Sequence, residues 1–133
     1  KDLEDKIDVV FIDAPCSGTG AWRRHPDTKW RLKPALLAQR MADQDAVLDL
    51  GTQFVKPGGR IVYVTCSVLP EEDEDRVAAF LDRWMDFRVT PATNNPHLVR
   101  HLTAEGYLRL SPRSSATDGF FVAVLERAKW TPQ

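Results

Sequence analysis

Cysteine is scarce in this chain of 133 residues, which has only Cys16 and Cys66. Two thiols with no further pairs exclude a disulfide-dense secreted scaffold and point to a reducing compartment. Neither thiol has neighbours at zinc-ligand spacing, so no metal site is expected. Charge of one sign is lacking too. The formal net charge is −1, which excludes a global field drawing the chain to nucleic acid or to anionic membrane. No apolar run approaches the roughly 20 residues of a membrane span, and no signal peptide opens the chain. Internal repeats and low-complexity segments are absent. The remaining composition, 43% apolar and 28% charged, is that of an ordinary globular chain. The length suits one domain with a core and not two. Together these absences leave a cytoplasmic α/β domain as the expectation.

What is present is organised around one stretch. The apolar run Val9-Val10-Phe11-Ile12 leads into Asp13-Ala14-Pro15-Cys16-Ser17-Gly18-Thr19-Gly20. The run reads as a buried strand, Asp8 to Ile12, and its lack of alternation predicts cover on both faces, as in a parallel sheet. The glycines read as a loop leaving the strand's carboxyl end, where open α/β sheets bind ligands. Lys1 to Lys6, mostly charged, reads as the tail of something upstream. After the glycines, Trp22 to Lys33 holds five Lys or Arg against one Asp, with two tryptophans interleaved. Arg23, Arg24, Lys29 and Trp30 there suit phosphate contact and base stacking, and so an RNA partner. A solvated loop anchored by its tryptophans fits equally well.

Pro34 is well placed to open a helix. Leu37, Met41, Leu48 and Val55, with Val47, Leu50 and Phe54 beside them, give that helix an apolar face. Lys56-Pro57-Gly58-Gly59 is expected to end it. Arg60 to Ser67 is a second β-branched strand, again closing on a thiol between hydroxyls. Pro70 and the acids Glu71 to Asp75 open another helix, with Val77, Phe80, Leu81 and Trp84 buried. Those acids suit the helix dipole and need no other role. Two strand–helix units in succession predict parallel strands. Phe87 to Pro91 is a short extended piece, Thr93 to Pro96 a turn, and His97 to Ala104 weakly helical or irregular. Tyr107 to Leu110 and Gly119 to Leu125 read as strands around a polar loop, a connection that favours an antiparallel hairpin.

Each thiol closes a strand–helix unit at one sheet edge. If the two strands are neighbours, their ends lie about 5 Å apart laterally. A disulfide and a pair of buried structural thiols are the bland alternatives. Asp-Ala-Pro-Cys-Ser-Gly-Thr-Gly at one strand end and Thr65-Cys66-Ser67 at the next nevertheless resemble the Sun/Nop-type RNA cytosine-5 methyltransferases, which use S-adenosylmethionine. Further matches are the Arg-His-Pro-Asp segment with its tryptophan, Lys56-Pro57-Gly58-Gly59, and Thr117-Asp118-Gly119-Phe120-Phe121 before the last strand. They run in the family's order over nearly the whole chain.

The resemblance implies the carboxyl-terminal half of a Rossmann-like methyltransferase sheet, its parallel strands closed by an antiparallel hairpin, beginning at the fourth strand. It implies Cys66 as the nucleophile at cytosine carbon 6 and Cys16 as the residue that assists breakdown of the adduct. Asp13 faces the cofactor or the base's amino edge, and the substrate is RNA, most simply ribosomal RNA. The Gly-rich cofactor loop and the acid-ended second strand of such enzymes are missing, as are upstream RNA-binding modules. The isolated chain is therefore expected to bind S-adenosylmethionine weakly or not at all, and to methylate nothing. Its first strand, central in the whole sheet, would become an apolar edge prone to self-association. Two rivals stand beside this reading. One is a methyltransferase acting on a purine amino group, which needs no thiol at position 66. The other is an RNA-binding module with a degenerate site.

Overall fold

A computed structural model describes residues 4–15, 34–67, 69–110 and 119–129. In chain order the elements are β1 (Ile7–Asp13), α1 (Pro34–Gly51), β2 (Val55–Thr65), α2 (Glu74–Arg83), β3 (Phe87–Thr90), a short 3-10 turn (Val99–His101), β4 (Leu108–Leu110) and β5 (Phe120–Arg127). One five-stranded sheet has the order β1-β2-β5-β3, and β4 also pairs with β5. The first two strands are parallel, with Val10 opposite Ile61 and Asp13 opposite Val64. β5 is antiparallel to β2, with Ile61 opposite Leu125 and Thr65 opposite Phe121. β3 takes residues 124–127 of β5 and β4 takes 120–122, so the two short strands follow each other along one edge. Parallel strands closed by an antiparallel β4–β5 pair are what the sequence predicts.

Alternation along the strands sorts side chains onto two faces. Val10, Ile12, Ile61, Tyr63, Ala123 and Leu125 share the face on which α1 and α2 lie, in one cluster with Leu48, Val77 and Phe80. Ile61, Tyr63, Leu125, Leu48, Val77 and Phe80 have no exposed surface. A Cβ at Gly51 would stand 3.1 Å from the Cδ1 of Ile12, so glycine lets the helix end approach β1 closely. The two helices are tied to each other through Arg76–Asp45 and Arg83–Asp49, both at 2.8 Å.

Three expectations need correction. Cover on both faces fails for β1, where Val9 is 49% and Phe11 66% exposed. Their apolar character is real, but both helices lie on the other face. The first helix ends at Gly51, before Val55, and Leu50 on its flank is 51% exposed. Lys56-Pro57-Gly58-Gly59 therefore does not close that helix. It lies within β2 as an irregularity where the pairing jumps from Ile7–Val55 to Val9–Arg60, with Gly58 at φ +84°. The stop signal was read correctly as a break and assigned to the wrong element. Six residues come between the helix and the glycines, and Thr52 bonding the carbonyl of Asp49 at 2.6 Å makes the turn locally.

Candidate functional site

β1 and β2 are parallel neighbours, so both deliver their carboxyl ends to the same edge. The ladder continues one residue past β1, where the amide of Ala14 donates to the carbonyl of Val64 at 2.8 Å. Asp13, exposed, stands on the face it shares with Phe11. Cys66 follows β2 directly and is exposed. Its two neighbours behave oppositely, since Thr65 and Ser67 have no exposed surface. Their hydroxyls point into the protein, and the turn they anchor presents the thiol outward.

What holds those hydroxyls is a buried acidic network. Thr65 Oγ1 donates to Asp73 Oδ1 at 2.5 Å, and Ser67 Oγ donates to Glu72 Oε1 at 2.6 Å. The Ser67 amide donates back to Thr65 Oγ1 at 3.2 Å, and the Leu69 amide to Ser67 Oγ at 3.0 Å. Tyr63 Oη donates to the Glu72 carbonyl at 2.8 Å. From α1, Gln44 Nε2 donates both to Glu72 Oε2 at 3.0 Å and to the carbonyl of Pro15 at 2.8 Å. Gln44 Oε1, although buried, has no hydrogen-bond partner among the described residues. Such an orphaned acceptor costs about 1–3 kcal/mol, so the amide is held there by what its N–H groups do.

Charge in the network is balanced from β4. Arg109 donates to Asp73 Oδ2 at 2.8 Å and to Glu74 Oε1 at 2.6 Å, while its guanidinium carbon lies 5.2 Å from the centre of the Phe121 ring. Burial works against the Arg109 charge, yet the two carboxylates outweigh it and hold the guanidinium above its ordinary value. Burial dominates at Asp73 and pushes its carboxyl up to about 7, against the lowering pull of Thr65 and Arg109.

These acids correct the sequence reading, which gave the run from Glu71 to Asp75 no role beyond the helix dipole. Glu72 and Asp73 have no exposed surface and precede α2, whose first turn carries Glu74 and Asp75. Asp73 occupies the cap position without making a cap bond; its side chain turns to Thr65 and Arg109 instead. Gln44 escaped notice too, although its place between Met41 and Leu48 on the apolar stripe was a signal. A polar side chain there must find a buried partner.

Of the expected site residues, Asp13 and Cys66 come to one edge. Cys16, Arg23, Arg24, Lys29 and Trp30 lie outside the described residues, as do Thr117 and Asp118. Gly119 and Phe120 reach the same edge, because Phe121 pairs with Thr65. A cavity of about 590 Å³ lies at the opposite end of the sheet, between Gly58, Asp86 and Arg127. Four of its charged side chains are paired, Arg127 with Asp86 at 3.1 Å and Arg88 with Glu126 at 2.6 Å, which leaves Lys129 as the further charged side chain of its lining. Among the described residues no group of three or more His, Cys, Asp or Glu can hold a metal, and no helix is long and apolar enough to cross a membrane. As for S-adenosylmethionine, one exposed carboxylate at a strand end can accept a hydrogen bond from an ammonium or hydroxyl group. It does not make a pocket for an adenosine, so the described residues do not by themselves fit that cofactor.

Two parallel strands delivering a carboxylate and a thiol to one edge, beside an inserted antiparallel strand, define an α/β methyltransferase-type sheet. The chain belongs to the 16S rRNA methyltransferase RsmB/F family, whose model matches residues 1–126. It is 40% identical over 123 residues to ribosomal RNA small subunit methyltransferase B of Vibrio cholerae, a match covering 92% of this chain and 26% of that protein. The protein of the same name from Salmonella newport is 42% identical over 122 residues, covering 92% and 27%. The chain thus spans about a quarter of the length of the curated relatives it matches. Among solved structures, a methyltransferase homologue from Pyrococcus horikoshii is 30% identical with a TM-score of 0.72, covering 95% of this chain and 40% of that one. NSun6 from Pyrococcus horikoshii, solved with SFG, has a TM-score of 0.71 over 90% of this chain and 30% of that one; at 22% identity it speaks for the fold alone.

Proposed function

We propose that this chain is the carboxyl-terminal part of the catalytic domain of an RNA cytosine-5 methyltransferase of the cytoplasm, with ribosomal RNA as substrate. One observation carries the reading. Cys66 is exposed at the end of β2 while Thr65 and Ser67 beside it are anchored inward, and the neighbouring strand ends at Asp13. A thiol presented in this way at a ligand-binding edge suits a nucleophile better than a core residue.

In the proposed reaction the Cys66 thiolate forms a bond to carbon 6 of cytosine and so raises the electron density at carbon 5. S-adenosylmethionine, when bound, would supply the methyl group that carbon 5 takes, its sulfonium–methyl bond breaking to leave a neutral thioether. Removal of the carbon 5 proton then returns an electron pair, the carbon–sulfur bond breaks and the thiolate leaves. Cys16 assists that release, and Asp13 accepts a hydrogen bond from the cofactor or the cytosine amine. Arg23, Arg24, Lys29 and Trp30 contact the RNA. The described residues form no pocket for the cofactor, and the isolated chain is inactive on this reading; calorimetry should detect no S-adenosylmethionine binding in the micromolar range.

Trapping tests the mechanism. The full-length enzyme should form a covalent adduct with RNA containing 5-azacytidine, and Cys66→Ala should abolish it. Cys16→Ala should let a stable adduct build up on ordinary RNA. No adduct from the parent enzyme would exclude this reading and favour the purine-amino or non-enzymatic alternatives, whereas an adduct that survives Cys66→Ala would move the nucleophile to another residue.

A further inference from the structure

The polar network behind Cys66 does more than satisfy buried groups, because it joins two strand ends that the sheet alone leaves adjustable. Pairing of β1 with β2 ends near Asp13 and Val64, the Ala14 amide making the last ladder bond. Beyond that point the two exits have no backbone bond to each other among the described residues. A side-chain bridge takes over. Ser67, directly after Cys66, donates to one oxygen of Glu72 at 2.6 Å. The other oxygen accepts Gln44 Nε2 at 3.0 Å, and the same nitrogen reaches the carbonyl of Pro15 at 2.8 Å. Gln44, Glu72 and Ser67 have no exposed surface, so water does not compete for the Gln44–Glu72 and Ser67–Glu72 bonds, while the bond to Pro15 is part-buried.

From this we propose that Glu72 and Gln44 are positioning residues, which lock the turn carrying Cys66 to the exit of β1 at Pro15. The proposal rests on the reading of Cys66 as nucleophile. Two details favour a positioning role over simple core filling. An apolar residue at position 44 would fill the space but serve neither Glu72 nor Pro15, whereas Gln44 bonds both although its own Oε1 has no partner among the described residues. Glu72 uses its two oxygens on two different elements, the Cys66 turn and α1, and α1 carries the bond on to Pro15. A carboxylate is the acceptor that can take both donors at once. The bridge touches backbone or side chain immediately beside the reacting turn and never the substrate, so its effect is on geometry.

The test uses the full-length enzyme and its RNA substrate. Gln44→Leu cuts the link to Pro15 while keeping volume and leaving the Ser67–Glu72 bond. We expect kcat to fall about 10–100-fold, the scale of a displaced reacting group, with KM for RNA within about threefold of the parent and a thermal midpoint lowered but still above the assay temperature, because Glu72 Oε2 loses a donor. A kcat within about twofold of the parent overturns the proposal. So does a kcat loss that tracks a matching loss of folded protein, since core filling alone would give that. If Gln44→Leu fails to fold, Gln44→Met keeps a longer, more adaptable side chain and is judged by the same criteria. Should both fail to fold, Ser67→Ala at the other end of the bridge decides, with the same kcat loss expected and the same twofold limit. Cys66→Ala, trapped in parallel with 5-azacytidine RNA, separates the two ideas. If it still forms adduct, the nucleophile reading has failed; if it does not, and the bridge variants behave like the parent, only the bridge has failed.

Discussion

The two parallel neighbours β1 and β2 are built from similar residues and live in different surroundings. Val9-Val10-Phe11-Ile12 and Ile61-Val62-Tyr63-Val64 are both apolar and rich in β-branched residues. β2 is paired on both sides, and its inward residues Ile61, Tyr63 and Thr65 have no exposed surface. Among the described residues β1 has one partner strand, and it shows Val9 and Phe11. Apolar composition therefore marks a strand that is meant to be covered, and the position in the sheet decides whether cover is present. The same difference runs through the site. The exit of β2 is held by a dense buried network, whereas the exit of β1 is held to it through the Ala14 amide and the carbonyl of Pro15.

The sharpest way to break this comparison is to truncate one residue in each strand. Ile61→Ala should cost about 2–5 kcal/mol of stability in urea denaturation, because it opens a cavity under both helices. Next in size is a pH effect at the β2 exit. Asp73 has its folded pKa raised from 3.8 to about 7, chiefly by burial. A carboxyl raised in this way contributes stability that is whole below pH 4 and is lost as pH rises through 7. The stability of the parent minus that of Asp73→Asn should therefore decline by a few kcal/mol between about pH 4 and 7 and then level off. A flat difference across that range would show that Asp73 is ionised throughout.

Tyr63→Phe removes only the hydroxyl that bonds the Glu72 carbonyl, and should cost about 1 kcal/mol in the same denaturation assay. For β1, Phe11→Ala should change stability by less than about 0.5 kcal/mol, since the ring is 66% exposed. A loss comparable with Ile61→Ala would mean that β1 is covered in solution, as self-association through its edge would do. Light scattering on Phe11→Glu sharpens the point: if the isolated chain self-associates through that strand, this variant should be the more monomeric.

Much of the fold was legible because the signals were local and redundant. β1, β2, the face of α2 through Val77 and Phe80, and the β4–β5 pair each combine periodicity with a clear break. The end of α1 was misread because a Pro-Gly-Gly break says only that regular structure is interrupted; it does not say which element it interrupts. Of the site, Cys66 was legible from its position after a strand. Glu72, Asp73 and Gln44 were not, since an acidic run before a helix looks the same whether it is solvated or turned inward.

By itself the sequence determined the elements, the two strand–helix units and the presence of a thiol after each strand, since these follow from side-chain period and turn chemistry over a few residues. Tertiary structure alone decided three further things. It set β1 beside β2, put the inserted β5 between β2 and β3, and closed the buried bridge from Ser67 through Glu72 and Gln44 to Pro15. The physical reason is reach. Gln44 and Glu72 are 28 residues apart, and only packing of α1 and α2 on one sheet face brings an amide and a carboxylate within 3.0 Å of each other.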